Sequence, residues 1–237
     1  MKKSIGILGG MGPMATADLF KKIVDYTAAS KDSEHIHVYI DSNTDIPDRT
    51  EAILRGGKDP VPEMVGSAIR LECMGADFLL IPCNTAHYFY DKICAMVHIP
   101  VLNMLEETAL EVKRQNINCV GLLATDGTIE SGVYDRVFEK YGISVLHPSS
   151  AGQKNVMDLI YKGVKAGEKD IDLAGFNNVL EELKRKGAET IILGCTELPI
   201  AFETYNIQCK NIDPTAVLAR SAIVYANGKL RNYSNPF

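Results

Sequence analysis

Short apolar runs of strand length recur along the chain, each parted from the next by a longer amphipathic stretch. The runs predict strands at 4–8, 37–40, 78–82, 101–103, 119–124, 144–146, 190–194 and 211–212. The amphipathic stretches predict helices at 13–29, 60–74, 88–97, 104–115, 129–141, 155–166, 172–186 and 214–225. Strands of near-continuous Ile, Leu and Val alternating with such helices mean parallel sheets covered on both faces, the α/β class. In that class ligands bind at the carboxyl ends of the strands.

The pattern is written twice. Gly75-Ala76-Asp77-Phe78-Leu79-Leu80-Ile81-Pro82-Cys83 aligns without a gap on Gly187-Ala188-Glu189-Thr190-Ile191-Ile192-Leu193-Gly194-Cys195, 112 residues later. Residues 4–13 are mirrored by 119–128 at an offset of 115, and 99–104 more faintly by 207–212 at an offset of 108. A repeat this long is a duplicated domain, not a solenoid unit. The expected architecture is two similar parallel-sheet, flavodoxin-like sandwiches related by a pseudo-twofold duplication. The first covers 1–102 and is completed by 211–237, the second covers 103–210, and the active site is expected in the cleft between them.

Composition narrows the picture. With 46% hydrophobic and 23% charged residues over 237 positions, each half can bury a core. The net charge is −5 and there is no basic tract, which argues against nucleic acid or a membrane surface as partner. The apolar runs are too short to span a bilayer. Gly6, Gly9, Gly10, Gly12 and Pro13 interrupt any leader core after Met1-Lys2-Lys3, so a cytoplasmic location is expected. The six cysteines show no C-x-x-C spacing and read as thiols. Cys73, Cys94, Cys119 and Cys209 lie in apolar stretches and are expected to act as small core hydrophobes; only Cys83 and Cys195 stand at strand ends.

Two equivalent thiols at strand ends suggest a site with two equivalent faces. A cysteine leading into a helix N-terminus is expected to have its pKa drawn below the free value of about 8.5, and the same N–H groups can hold a carboxylate. One thiolate then removes a proton from a carbon beside that carboxylate while the other thiol delivers one to the opposite face. The stereocentre inverts without a cofactor. This requires sulphurs roughly 7 Å apart, in opposite protonation states, that swap roles for the reverse reaction.

These residues carry a resemblance. Gly6-Ile7-Leu8-Gly9-Gly10-Met11-Gly12-Pro13, Pro47-Asp48-Arg49-Thr50, Pro82-Cys83-Asn84-Thr85-Ala86-His87, Gly121-Leu122-Leu123-Ala124-Thr125 with Gly127-Thr128, Lys165-Ala166-Gly167 and Leu193-Gly194-Cys195-Thr196-Glu197-Leu198-Pro199 are similar to segments of the aspartate/glutamate racemase family, in particular its cofactor-independent aspartate racemases. The resemblance implies an isomerase that needs no cofactor or metal, acts on a dicarboxylic amino acid and forms a homodimer. It makes Cys83 and Cys195 the acid/base pair, and Arg49 and Lys165 the carboxylate ligands. Asn84, Thr85, Thr196 and Glu197 hold the α-carboxylate and amine, and Met11 lines the pocket. The chain lacks the Asp-Ser-Gly-Val-Gly-Gly segment of glutamate-specific members, which favours aspartate with glutamate tolerated. Relatives acting on hydantoins, malonates or maleate are the alternative within the superfamily.

Plainer roles compete with these. Arg49 sits in a polar loop where a solvated salt bridge is usual, and Lys165 lies with Lys162 and Lys169 on what reads as a charged helix face. Glu197 either orients the amine or caps a helix; Thr125 either binds substrate or closes a turn. His87 follows Cys83 by four residues, but no further Cys/His cluster completes a metal set, so it reads as a structural hydrogen-bonding residue. Gly10-Met11-Gly12-Pro13-Met14-Ala15 fits a dinucleotide fingerprint, making an NADP-dependent oxidoreductase a formal alternative; Pro13, with no N–H for phosphate, and the late Asp41 argue against it. An amino-acid sensor is the non-enzymatic alternative, against which stands the second cysteine. The 56–60 stretch has the composition of a mobile loop that closes over a site.

Overall fold

A computed structural model describes residues 2–168, 171 and 173–231. In chain order the elements are β1 (Ile5–Gly9), α1 (Pro13–Tyr26), β2 (Val38–Ser42), α2 (Arg49–Leu54), α3 (Val61–Cys73), β3 (Phe78–Leu80), α4 (Tyr90–Cys94), α5 (Met104–Arg114), β4 (Cys119–Leu123), α6 (Asp126–Ser131), α7 (Val133–Glu139), β5 (Ser144–Leu146), α8 (Ser150–Asp158), α9 (Ala174–Arg185), β6 (Thr190–Leu193), α10 (Leu198–Thr204), β7 (Asn211–Ile212) and α11 (Pro214–Tyr225). They form two compact units. The first holds the described residues up to Glu107 and those from Thr215 onward, and the second runs Thr108–Pro214.

Each unit is built on a wholly parallel sheet, as the continuous apolar strands predict. In the first the order is β2-β1-β3, with Ile5 opposite Val38 on one side and Phe78 on the other. In the second it is β5-β4-β6-β7, with Val120 opposite Val145 and Thr190. The cores repeat each other. Gly6 leaves space filled by Leu71 of α3 and Leu79 of β3; Gly121 leaves the corresponding space for Leu183 of α9 and Ile191 of β6. A Cβ at either glycine would sit 2.6 Å from Leu79 Cδ2 or 2.8 Å from Ile191 Cδ1, so helix and strand pack closely only because both side chains are missing.

The entry into the cysteine-bearing strand is repeated as well. Gly75 (φ +98°) and Gly187 (φ +104°) end α3 and α9 in the left-handed conformation, and the next residue, Ala76 or Ala188, donates back to Leu71 or Leu183. This is the glycine helix stop. The acid that follows reaches across to the start of the central strand. Asp77 Oδ2 accepts the Ser4 N–H at 2.6 Å, and Glu189 Oε1 accepts those of Asn118 and Cys119 at 2.9 and 3.1 Å. The Asp77 carboxyl is accordingly held below its usual pKa, chiefly by the Ser4 backbone bond.

Several predicted elements are revised. Residue 101 forms a single parallel bridge to Leu79 rather than a strand, and Asn103 instead caps α5, its Oδ1 accepting from Leu105 and Glu106. The helix expected at 129–141 starts earlier and breaks at Gly132, whose φ of +62° no helix interior adopts. α2 and α10 are unforeseen short helices. The predicted start of α9 at Asp172 lies outside the described residues. Cys73 is exposed rather than in the core, and Cys94, Cys119 and Cys209 are half-buried.

Candidate active site

In the first unit the carboxyl ends of β1, β2 and β3 each deliver part of a site. After β1 the backbone turns at Gly10, where φ is +89° and a Cβ would lie 2.2 Å from the Asn43 carbonyl oxygen, so only glycine fits. Thr16 Oγ1 accepts the Gly10 N–H at 2.8 Å and donates to the Gly12 carbonyl at 3.1 Å, tying the loop to α1 and leaving Met11 buried. After β2 the chain reaches α2, capped by Asp48, which accepts the Glu51 N–H at 2.8 Å. Arg49 is the first residue of that helix. Its Nη1 donates to the carbonyls of Ile46 and Pro47 at 3.3 and 3.0 Å, and its Nε is buried with no hydrogen-bond partner. The solvated salt bridge considered for Arg49 is not formed among the described residues.

β3 runs out at Leu80, and three residues on stands Cys83, 6% exposed, with its N–H donating to the Ile81 carbonyl at 2.9 Å. Asn84 and Thr85 are buried beside it at the start of a 3-10 turn, Thr85–Phe89, that leads into α4. The turn carries His87, whose Nδ1 lies 2.9 Å from the Cys83 carbonyl oxygen, the structural hydrogen bond expected from sequence.

The second unit mirrors this layout with different side chains. Thr125 precedes α6 and closes a turn, its carbonyl accepting from Thr128 and Ile129 while the two threonine hydroxyls lie 3.2 Å apart. Gln153, which carried no expectation, braces this strand end by donating to the Ala124 carbonyl at 3.0 Å and Asp126 Oδ1 at 2.8 Å. At the end of β6, Gly194 takes the place of Pro82: a Cβ there would meet Leu122 Cδ1 at 2.6 Å. Cys195 follows, 7% exposed, and its Sγ–H donates to Glu197 Oε2 at 3.0 Å. Thr196 Oγ1 donates to the same oxygen at 3.2 Å. Glu197 occupies the cap position of α10, but its side chain takes these two bonds instead of capping the helix.

Charge around Cys195 runs opposite to the sequence expectation. Burial pushes its thiol well above the ordinary value, and the neighbouring Glu197 carboxylate adds to the rise, while Lys165 opposes it. The helix dipole does not dominate because α10 begins only at Leu198 and the nearest full charge is negative. Tyr134, wholly buried and missed in the sequence, is raised by burial and by the charges of Asp213 and Cys195. Lys165 ends the π-helical turn Leu159–Lys165 that extends α8; its Nζ lies 4.3 Å from the centre of the Tyr161 ring. Lys162 pairs with Asp158 at 3.0 Å, and Lys169 lies outside the described residues, so the expected charged face is only partly described. Among the described residues no cluster of three or more His, Cys, Asp or Glu side chains is placed to hold a metal, and no helix is long and apolar enough to cross a membrane.

Residues 8–222 match the family model described as Asp/Glu/hydantoin racemase. The chain is 31% identical over 232 residues to the broad specificity amino-acid racemase RacX of Bacillus subtilis, covering 92% of this chain and 96% of that protein. Its fold is similar to that of the Picrophilus torridus aspartate racemase, with a TM-score of 0.84 at 32% identity over 97% of this chain and 96% of the other. It is also similar to a glutamate racemase from Francisella tularensis solved with D-glutamate, with a TM-score of 0.68 over 95% and 82% of the two chains; at 21% identity that likeness is one of fold.

Proposed function

The chain belongs to the Asp/Glu/hydantoin racemase family, and from that premise we propose that it interconverts L- and D-aspartate, with glutamate tolerated, through Cys83 and Cys195. The observation that carries a dicarboxylate substrate is Arg49. Its guanidinium is held by two carbonyls on one nitrogen and keeps a buried Nε unpaired, in the segment that follows β2 at the same carboxyl end of the sheet from which β3 leads to Cys83. A buried donor without a partner costs about 1–3 kcal/mol, and a side-chain carboxylate taken in fork geometry repays it. Lys165, whose charge already acts on Cys195, is the second cation of the reading.

The bond from Cys195 to Glu197 supports a division of roles. Cys195 rests as the thiol that donates, and in that direction Cys83 is the base that takes the α-proton. One S–H bond forms as the Cα–H bond breaks, and a new Cα–H bond forms as the other S–H bond breaks. No change of oxidation state occurs, so no electron carrier enters the balance, and the two thiols end with their protonation states exchanged. The same reading places the protein in the cytoplasm as a homodimer, which analytical ultracentrifugation tests.

Incubation with L-aspartate in deuterated water is expected to wash out the α-proton and yield both enantiomers without added cofactor. Cys83→Ala and Cys195→Ala should each abolish racemisation, while each retains α-proton exchange with one enantiomer, the one whose base survives. Full-rate racemisation by either variant would sink the two-base mechanism. A second reading, racemisation of a wider range of amino acids, is favoured by the near full-length match to RacX. Turnover of neutral amino acids at rates near that of aspartate would select it.

A further inference from the structure

We propose that His87 is a positioning residue for Cys83, fixing the turn that carries the thiol against the first turn of α5. The ring is buried and both nitrogens are engaged. The Met104 N–H can only donate, so Nε2, 3.2 Å away, accepts and the ring proton must sit on Nδ1. Nδ1–H then donates to the Cys83 carbonyl at 2.9 Å. Burial holds the imidazole pKa down at about 4, so the ring stays neutral and in one tautomer near neutral pH.

His87 is itself held in place. It stacks on Tyr90 with 5.9 Å between ring centres and 8° between planes, and the Tyr90 hydroxyl donates to the Val101 carbonyl at 2.7 Å. Val101 in turn bridges Leu79 of β3. The residues on either side of the 3-10 turn are therefore closed into a circuit with His87 at its centre. Fixing the Cys83 carbonyl fixes the peptide plane that follows it, and with it the direction of the Cα–Cβ bond that bears the sulphur. A base that must meet a Cα–H bond in line is sensitive to such direction.

The kinetic arm of the test rests on the racemase reading; the others do not. Asparagine places an amide N–H where Nδ1 was, and glutamine places a carbonyl oxygen where Nε2 was, so the two variants separate the ring's two bonds. His87→Asn is expected to keep kcat near wild type and lower Tm, because the Met104 N–H loses its acceptor. His87→Gln is expected to lower kcat about tenfold with KM little changed, well beyond what any fall in Tm accounts for, because the Cys83 carbonyl loses its donor. His87→Gln turning over at the wild-type rate overturns the proposal, as does a loss of kcat in both variants in proportion to the unfolded fraction. If neither variant folds, 15N spectra of histidine-labelled wild-type protein decide: a neutral Nδ1–H ring is expected, and an Nε2–H ring refutes the assignment. If wild-type protein exchanges no amino-acid α-proton, the racemase reading fails by itself. Peptide-resolved iodoacetamide labelling of Cys83 then replaces kcat, with a changed rate expected in His87→Gln and not in His87→Asn.

Discussion

Arg49 and Glu197 do opposite things to the charges around them, and each can be tested alone. Arg49 holds a donor in reserve. Replacing it with glutamine removes a charge-assisted contact of about 1.5–3 kcal/mol, so kcat/KM for aspartate should fall roughly 10- to 100-fold. Neutral amino acids, if they are substrates, should lose far less, and steady-state kinetics on both classes measure the difference. Lysine at this position should rescue only part, since it cannot present a planar fork. Glu197 spends its charge on keeping a proton at Cys195. Burial raises that thiol first and Glu197 second, so Glu197→Gln leaves the burial but removes the charge. The thiol should then ionise at lower pH, and the basic limb of kcat/KM should move down. An unmoved limb would mean that Glu197 faces the substrate amine instead.

Among the elements, α2 shows how a few residues set a functional side chain. It is six residues long and stands on the Asp48 cap. Asp48→Ala should cost about 1 kcal/mol of stability by urea denaturation. Because Arg49 is the next residue, KM for aspartate should rise in the same variant with kcat less affected. So short a helix offers too few turns for a hydrophobic period to register, which is why α2 and α10 escaped the pattern that revealed α1, α3, α5, α9 and α11. Their local signs were in the chain all the same: Asp48 three residues before Glu51, and Pro199 in the first turn of α10. The break at Gly132 was hidden for another reason. Glycine is tolerated inside a helical pattern, and only the fold reveals that this one takes a positive φ.

For the whole molecule, the 112-residue echo was legible because each matched letter has a repeated task. Gly75 and Gly187 stop helices, Asp77 and Glu189 pin the start of the central strand, and Leu79 and Ile191 fill the space left by a glycine. The bond between Cys195 and Glu197 was not legible, since two residues two apart meet only if the turn between them folds their side chains together. Burial of His87 also sets a property of the folded state. Its pKa falls from the ordinary 6.5 to about 4, so the unfolded chain binds a proton there first. Stability from this group is complete above about pH 6.5 and is lost as pH falls toward 4, by of order 3 kcal/mol. Denaturation curves across that range should show the loss in wild type and its reduction in His87→Gln. The thiols carry a further consequence, for endurance under oxidants. Peroxide attacks thiolates that it can reach, and Cys195 is both enclosed and kept protonated by its neighbouring carboxylate, whereas Cys73 lies open on the surface. Under mild oxidative stress Cys73 should be marked before Cys195, and the proton donor of the proposed reaction is spared.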